Sequence, residues 1–237
     1  MTKQVQESQT AVKKLPRLKV ENLQRFDPLS DNQSQAFHAY HKGNNLILSG
    51  SAGTGKTFIA MYLAMREIMD KDSPYKKIVI IRSIVPTRDI GFLPGDEEEK
   101  KQAYMLPYIE ICQELFNDKQ AFEKLQDNGQ IDFLSTSFIR GTTLNNAVII
   151  LDEMQNCIFR ELDTVITRVG NRARFIMCGD YYQSDFDKKT DKEGILNFLK
   201  IVDSMNSFRH IEFTWADIVR SDFVRDYIVT KESLKIS

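Results

Sequence analysis

Short, largely apolar runs at 45–49, 77–81, 147–151 and 174–178, with short mixed segments at 131–134 and 210–213 that also read as strands, recur along the chain between longer polar-apolar stretches. A run of four to six apolar residues bounded by polar ones is the pattern of a strand buried on both faces. The intervening stretches carry helical spacing. Ser30 is a plausible N-cap for a helix reaching Lys42, with Gly43 as its stop. Further helices are expected over 56–69, 100–116, 118–127, 159–168 and 194–205, and in a tail from Ala216 to Leu234. Pro107 should break the long central helix or force a fresh start, because its ring removes a donor and crowds the preceding turn. Asp96 to Glu99 suit the positive end of a helix dipole. Strands separated by helices, most of them continuously apolar, predict a parallel sheet covered by helices on both faces. In such an α/β fold the site lies at the carboxyl ends of the strands.

At 237 residues the chain suffices for one large α/β domain. Hydrophobic content of 42% and charged content of 27% are those of a soluble globular protein, and no apolar run is long enough to span a membrane. Residues 1–25 read as a mobile basic N-terminal arm, carrying Lys3, Lys13, Lys14, Arg17 and Lys19, before an ordered domain over 26–237. The N-terminus lacks the apolar core of a signal peptide, and Cys112, Cys157 and Cys178 read as reduced core residues. The expected compartment is therefore cytoplasmic. A net charge of −1 neither demands nor excludes nucleic acid, so any such contact must come from local patches.

The stretch Gly50, Ser51, Ala52, Gly53, Thr54, Gly55, Lys56, Thr57 matches G-x-x-x-x-G-K-[ST] between a strand and a helix that continues through Phe58. Its glycines let consecutive N–H groups face one concavity, and the helix adds its dipole. Lys56 would reach the outer phosphates and Thr57 would offer its hydroxyl to Mg²⁺. The strand 147–151 ends in Asp152 and Glu153. Asp152 is placed to hold Mg²⁺ through water, and Glu153 to polarise the attacking water as general base. On the next strand Asp180 can reach the Mg²⁺ shell and Gln183 can sense the γ-phosphate. Gln33, just upstream of the P-loop strand, offers both a donor and an acceptor suited to an adenine edge.

These motifs, with Ile90 to Asp96 (I-G-F-L-P-G-D), Glu99, Lys100, Ile139 to Asn145 (I-R-G-T-T-L-N) and Ile149 to Asn156 (I-I-L-D-E-M-Q-N), give the chain a resemblance to PhoH-family ATPases. The resemblance covers residues 26–228 and implies a single RecA-like P-loop NTPase domain similar to the first such domain of superfamily 1 helicases. It implies ATP and Mg²⁺ as cofactors and single-stranded RNA or DNA as substrate. Gln183 then matches the residue linking nucleotide state to nucleic acid, and Gln33 the adenine-contacting glutamine. Ile218, Val219 and Arg220 resemble a late Val-Val-Arg-His motif, with Ser221 replacing the histidine. Nothing here resembles the PIN nuclease domain that some members append, and short versions of this kind look like those of bacteriophages.

Such motors place ATP between two RecA-like domains, and the second supplies an arginine. With room for one, the chain is expected to complete its site from a neighbour in a homo-oligomeric ring, which the family resemblance makes hexameric. Arg140, Arg220 and Arg225 are the candidate arginines. Tyr181 and Tyr182 are candidates for base stacking and Lys188 for phosphate contact, followed by Lys189 and Lys192. Two other readings stand beside the motor. One is an ATP-controlled assembly switch; the other is a nucleoside kinase resembling thymidine kinases, whose zinc cysteines and lid segment this sequence lacks.

Overall fold

A computed structural model describes residues 15–83, 97–180 and 189–234. In the described residues six strands form one sheet: β1 (Asn45–Gly50), β2 (Lys77–Arg82), β3 (Ile131–Ser135), β4 (Ala147–Asp152), β5 (Arg174–Gly179) and β6 (Phe208–Phe213). Their order is β3-β2-β4-β5-β1-β6, and every pairing is parallel. Among the described residues seven helices accompany them: α1 (Asp31–His41), α2 (Lys56–Met69), α3 (Glu97–Phe116), α4 (Ala121–Asp127), α5 (Phe159–Ile166), α6 (Lys189–Asp203) and α7 (Asp222–Ser233).

Alternate strand residues serve opposite layers. Leu46, Leu48, Ile78, Ile80, Val148 and Ile150 pack towards α1 to α4, whereas Ile47, Val79, Ile81, Ile149 and Leu151 pack towards α5 and α6. This is why the strands are apolar at successive positions instead of alternate ones. Each such buried side chain contributes about 1.5–3 kcal/mol relative to exposure.

Helix ends follow the expected chemistry at α1, where Ser30 Oγ accepts from Gln33 N at 3.3 Å and Gly43 follows with φ 92°. The expected break at Pro107 does not occur, since α3 runs unbroken through it. The missing proline N–H removes one ladder bond, but Tyr104, Met105, Tyr108, Cys112, Leu115 and Phe116 along the same helix are buried, and that packing outweighs the loss. The described part of the expected N-terminal arm is seated on this layer. Leu18 is buried, Gln24 N donates to Leu115 O at 2.7 Å, and Asn128 Nδ2 donates to Leu15 O at 3.1 Å.

In the C-terminal tail a short 3-10 turn, Trp215–Asp217, precedes α7, which contributes no buried residue. Among the described residues no helix is long and apolar enough to cross a membrane.

Candidate nucleotide site

The P-loop begins where β1 runs alongside β6. Gly50, at φ 108°, lies so close to Phe213 that an added Cβ would stand 1.9 Å from that carbonyl oxygen. Ser51 N donates to the same oxygen at 3.2 Å, so β6 sets the path of the loop. Gly53 and Gly55 also have positive φ, 74° and 81°, which turns the chain into α2.

Lys56 Nζ donates to Gly50 O and Ser51 O, both at 2.7 Å, placing its ammonium inside the curve of the loop. Burial pushes its pKa below the usual lysine value, against the opposing pull of Asp180, Glu153 and Asp152.

Thr57, on the first turn of α2, donates to Asp152 Oδ1 at 2.9 Å. Asp152 is buried at the end of β4, and its second oxygen accepts from the Tyr108 hydroxyl at 2.8 Å. Burial raises the Asp152 pKa and the charge of Glu153 raises it further, while the two hydroxyl donors and Arg82 pull it down. Arg82 ends β2 at the register position beside Asp152, with its guanidinium 5.4 Å from the Tyr104 ring centre. Burial works against the Arg82 charge, but Tyr108, Glu153 and Asp152 outweigh it and the pKa rises.

Glu153 leaves the strand in the left-handed region at φ 53°, a conformation costing about 1–2 kcal/mol for a non-glycine residue. Its carboxylate accepts from Gln155 Nε2 at 2.5 Å. Gln155 Oε1 in turn accepts from Asp180 N at 3.0 Å, which ties the ends of β4 and β5 together. Gly179 leaves room for this bridge, since a Cβ there would stand 2.4 Å from Gln155 Oε1.

Gln33 is buried against the loop rather than exposed on α1. Its Oε1 accepts from Leu29 N at 2.7 Å and its Nε2 donates to Thr54 O at 3.2 Å. The space beside Gly55 is bounded by Gln33 and Val219, each 3.6 Å from where a Cβ would stand.

The C-terminal segment closes the outer side. Val219 N donates to Gly53 O at 3.1 Å, Arg220 Cγ and Ile228 Cδ1 flank Gly53, and Ser51 Oγ donates to Glu232 Oε2 at 3.0 Å.

The fold thus brings Gln33, residues 50–58, Asp152, Glu153 and Asp180 to one end of the sheet. Arg220 joins them within its own chain, whereas Arg140 is exposed beyond β3 and Arg225 is exposed on α7. Tyr181, Tyr182, Gln183 and Lys188 lie outside the described residues, as does the 90–96 block. Arg82 and Tyr108 also reach this end of the sheet and were missed by motif reading, while Gln155 was read only as part of the 149–156 block, with no role of its own.

The donor set fits Mg²⁺: hard oxygens from one hydroxyl and one or two carboxylates, with coordination otherwise left to water and phosphate. Among the described residues no group of three or more His, Cys, Asp or Glu side chains forms a cage for another metal.

A parallel sheet with a P-loop after β1 and an acidic pair at the carboxyl end of β4 defines a RecA-like P-loop NTPase domain. The chain belongs to the PhoH-like protein family, whose model matches residues 25–231. It is 39% identical over 144 residues to Protein PhoH2 of Bacillus subtilis (strain 168), covering 59% of this chain and 32% of that one. It is 32% identical over 189 residues to a PhoH-like protein of the same organism, covering 79% and 58%. The chain therefore spans about a third to three fifths of the length of these relatives. In fold it is similar to the large terminase of a thermophilic bacteriophage, with a TM-score of 0.50, 14% identity, and coverage of 85% of this chain and 50% of that one.

Proposed function

We propose that this chain is a Mg²⁺-dependent ATPase that works on single-stranded RNA or DNA as a cytoplasmic homo-oligomeric ring. The observation that carries the proposal is the convergence of Lys56, Thr57, Asp152 and Glu153 at one end of the sheet, with the Lys56 ammonium inside the curve of the P-loop and Thr57 bonded to Asp152. In this reading the P-loop amides and Lys56 bind the β- and γ-phosphates, and Gln33 faces the base. Thr57 and Asp152 hold Mg²⁺, which when bound neutralises phosphate charge. Glu153 polarises the attacking water, and its strained backbone with the Gln155 bond keeps the carboxylate in a single orientation. Asp180 steadies the water shell from β5.

Arg220 lies in cis, so Arg140 and Arg225 are the candidates a neighbouring subunit would contribute. Superfamily motors act on nucleic acid, which supports that substrate class here, with Tyr181, Tyr182, Gln183 and Lys188 as the proposed contacts. The test is ATP hydrolysis with and without single-stranded RNA and DNA, alongside solution mass. Stimulation of turnover in an oligomer is expected; no stimulation by either polymer in the assembled state would refute the motor.

A second reading, an ATP-controlled assembly switch, draws on one observation. α7 rests on the P-loop, yet Phe223 and Tyr227 on it and Leu234 just past its end are 83%, 63% and 64% exposed. Nucleotide binding would then alter how α7 sits, and Trp215, the chain's single tryptophan, donates its indole N–H to Glu232 on that helix. A change in tryptophan fluorescence and in solution mass on adding ATP to Glu153→Gln favours the switch; neither changing excludes it.

A further inference from the structure

We infer that Tyr108 is a positioning residue for Asp152, one that fixes how the carboxylate can meet a divalent cation; the inference rests on the Mg²⁺-nucleotide reading of the site. Asp152 has two oxygens, and protein donors reach both. Oδ1 takes the Thr57 hydroxyl from the P-loop side and Oδ2 takes the Tyr108 hydroxyl from α3. Two donors from different elements leave the carboxylate no freedom to rotate about its Cβ–Cγ bond. Mg²⁺ and Mn²⁺ both favour octahedral oxygen coordination, so a carboxylate held in one orientation meets either ion at lower cost than one free to rotate.

Tyr108 is not simply an aromatic filler of the core. It is fully buried in the row of α3 residues Tyr104, Tyr108, Cys112 and Leu115, with its ring 5.8 Å from that of Phe133, a place phenylalanine would fill equally well. Its hydroxyl is what differs, and a buried hydroxyl needs a partner. The Tyr108 oxygen also interacts with the Arg82 side chain, so it stands between a guanidinium and a carboxylate. Arg82 polarises the phenol, which strengthens its donation to Asp152. The chain Arg82–Tyr108–Asp152–Thr57 thus crosses from β2 through α3 to β4 and α2.

Loss of a residue that orients a metal ligand typically costs about 10–100-fold in metal affinity. Tyr108→Phe keeps the ring and removes only the hydroxyl. With Mn²⁺ as the probe, followed by electron paramagnetic resonance in the presence of ADP, Mn²⁺ affinity is expected to fall about 10-fold or more. ADP affinity measured in EDTA should stay within about twofold, since the P-loop amides are untouched. Phe133→Leu loosens the same packing and is expected to lower the melting temperature without shifting Mn²⁺ affinity.

Unchanged Mn²⁺ affinity in Tyr108→Phe overturns the proposal, as does an equal loss in Phe133→Leu. If Tyr108→Phe does not fold, Arg82→Lys tests the next bond outward, and Mn²⁺ affinity unchanged there also overturns it. Wild-type protein that binds no ADP either with Mg²⁺ or in EDTA overturns the nucleotide reading itself, an outcome distinct from a selective metal defect.

Discussion

Gly50 and Gly43 make a matched pair that separates backbone strain from steric exclusion. Both have strongly positive φ, 108° and 92°, so alanine at either position is strained by about 1–2 kcal/mol. Around Gly43 nothing lies within 4 Å of the new Cβ. At Gly50 the Cβ would stand 1.9 Å from Phe213 O, 2.8 Å from its carbon and 2.9 Å from its nitrogen, all backbone atoms of β6. No rotamer relieves that overlap, so β6 must move away, stretching the Ser51 N–Phe213 O bond and the register pairs from Asn45 to Gly50. Overpacking of this kind adds about 1–3 kcal/mol, giving about 2–5 kcal/mol in all for Gly50→Ala against about 1–2 for Gly43→Ala. For a domain of this length each kcal/mol moves the melting temperature by about 2–4 °C. Urea titration monitored by circular dichroism measures both variants. Because the P-loop path depends on β6, Gly50→Ala should also weaken ADP binding, while Gly43→Ala should not. Equal destabilisation of the two variants would show that β6 does not constrain the loop.

Other outcomes follow from the same geometry. Glu153→Gln should reduce ATP turnover by about 10²–10⁴-fold, read as phosphate release, while ADP binding measured by calorimetry is retained. Asp152→Asn should raise the melting temperature of the nucleotide-free protein at neutral pH. The folded-state pKa of Asp152 is raised, so wild type carries the cost of a buried charge above that pKa, and the cost disappears as pH falls below the usual aspartate value. The advantage of the asparagine variant should therefore shrink on acidification; an advantage constant with pH would contradict the assigned cause. Arg174, buried on β5, pairs with Glu67 at 3.1 Å and donates to Tyr40 O, so Arg174→Ala should cost about 3–5 kcal/mol in urea unfolding.

Much of this arrangement was legible from local pattern. The apolar runs specify strands because a strand buried on both faces needs apolar residues at consecutive positions. Gly50–Thr57 declares its own geometry because only that composition lets a backbone fold around phosphate. Asp152 and Glu153 follow from their place at the end of a recognisable strand. Pro107 shows the limit of local rules: its propensity argues for a break, and the buried row on α3 overrides it.

What tertiary structure alone decided is which distant residues meet. β2 lies beside β4 only because of the strand order, and that places Arg82 next to Asp152, 70 positions later in the chain. α3 delivers the Tyr108 hydroxyl from 44 residues away. β6 on the far side of β1 closes on Gly50, and the segment after it lays Val219, Arg220 and Glu232 along the same P-loop. Local sequence encodes backbone geometry and the types of chemical group near one turn. The partners of a buried carboxylate are chosen by packing across the sheet, where sequence separation carries no information about distance.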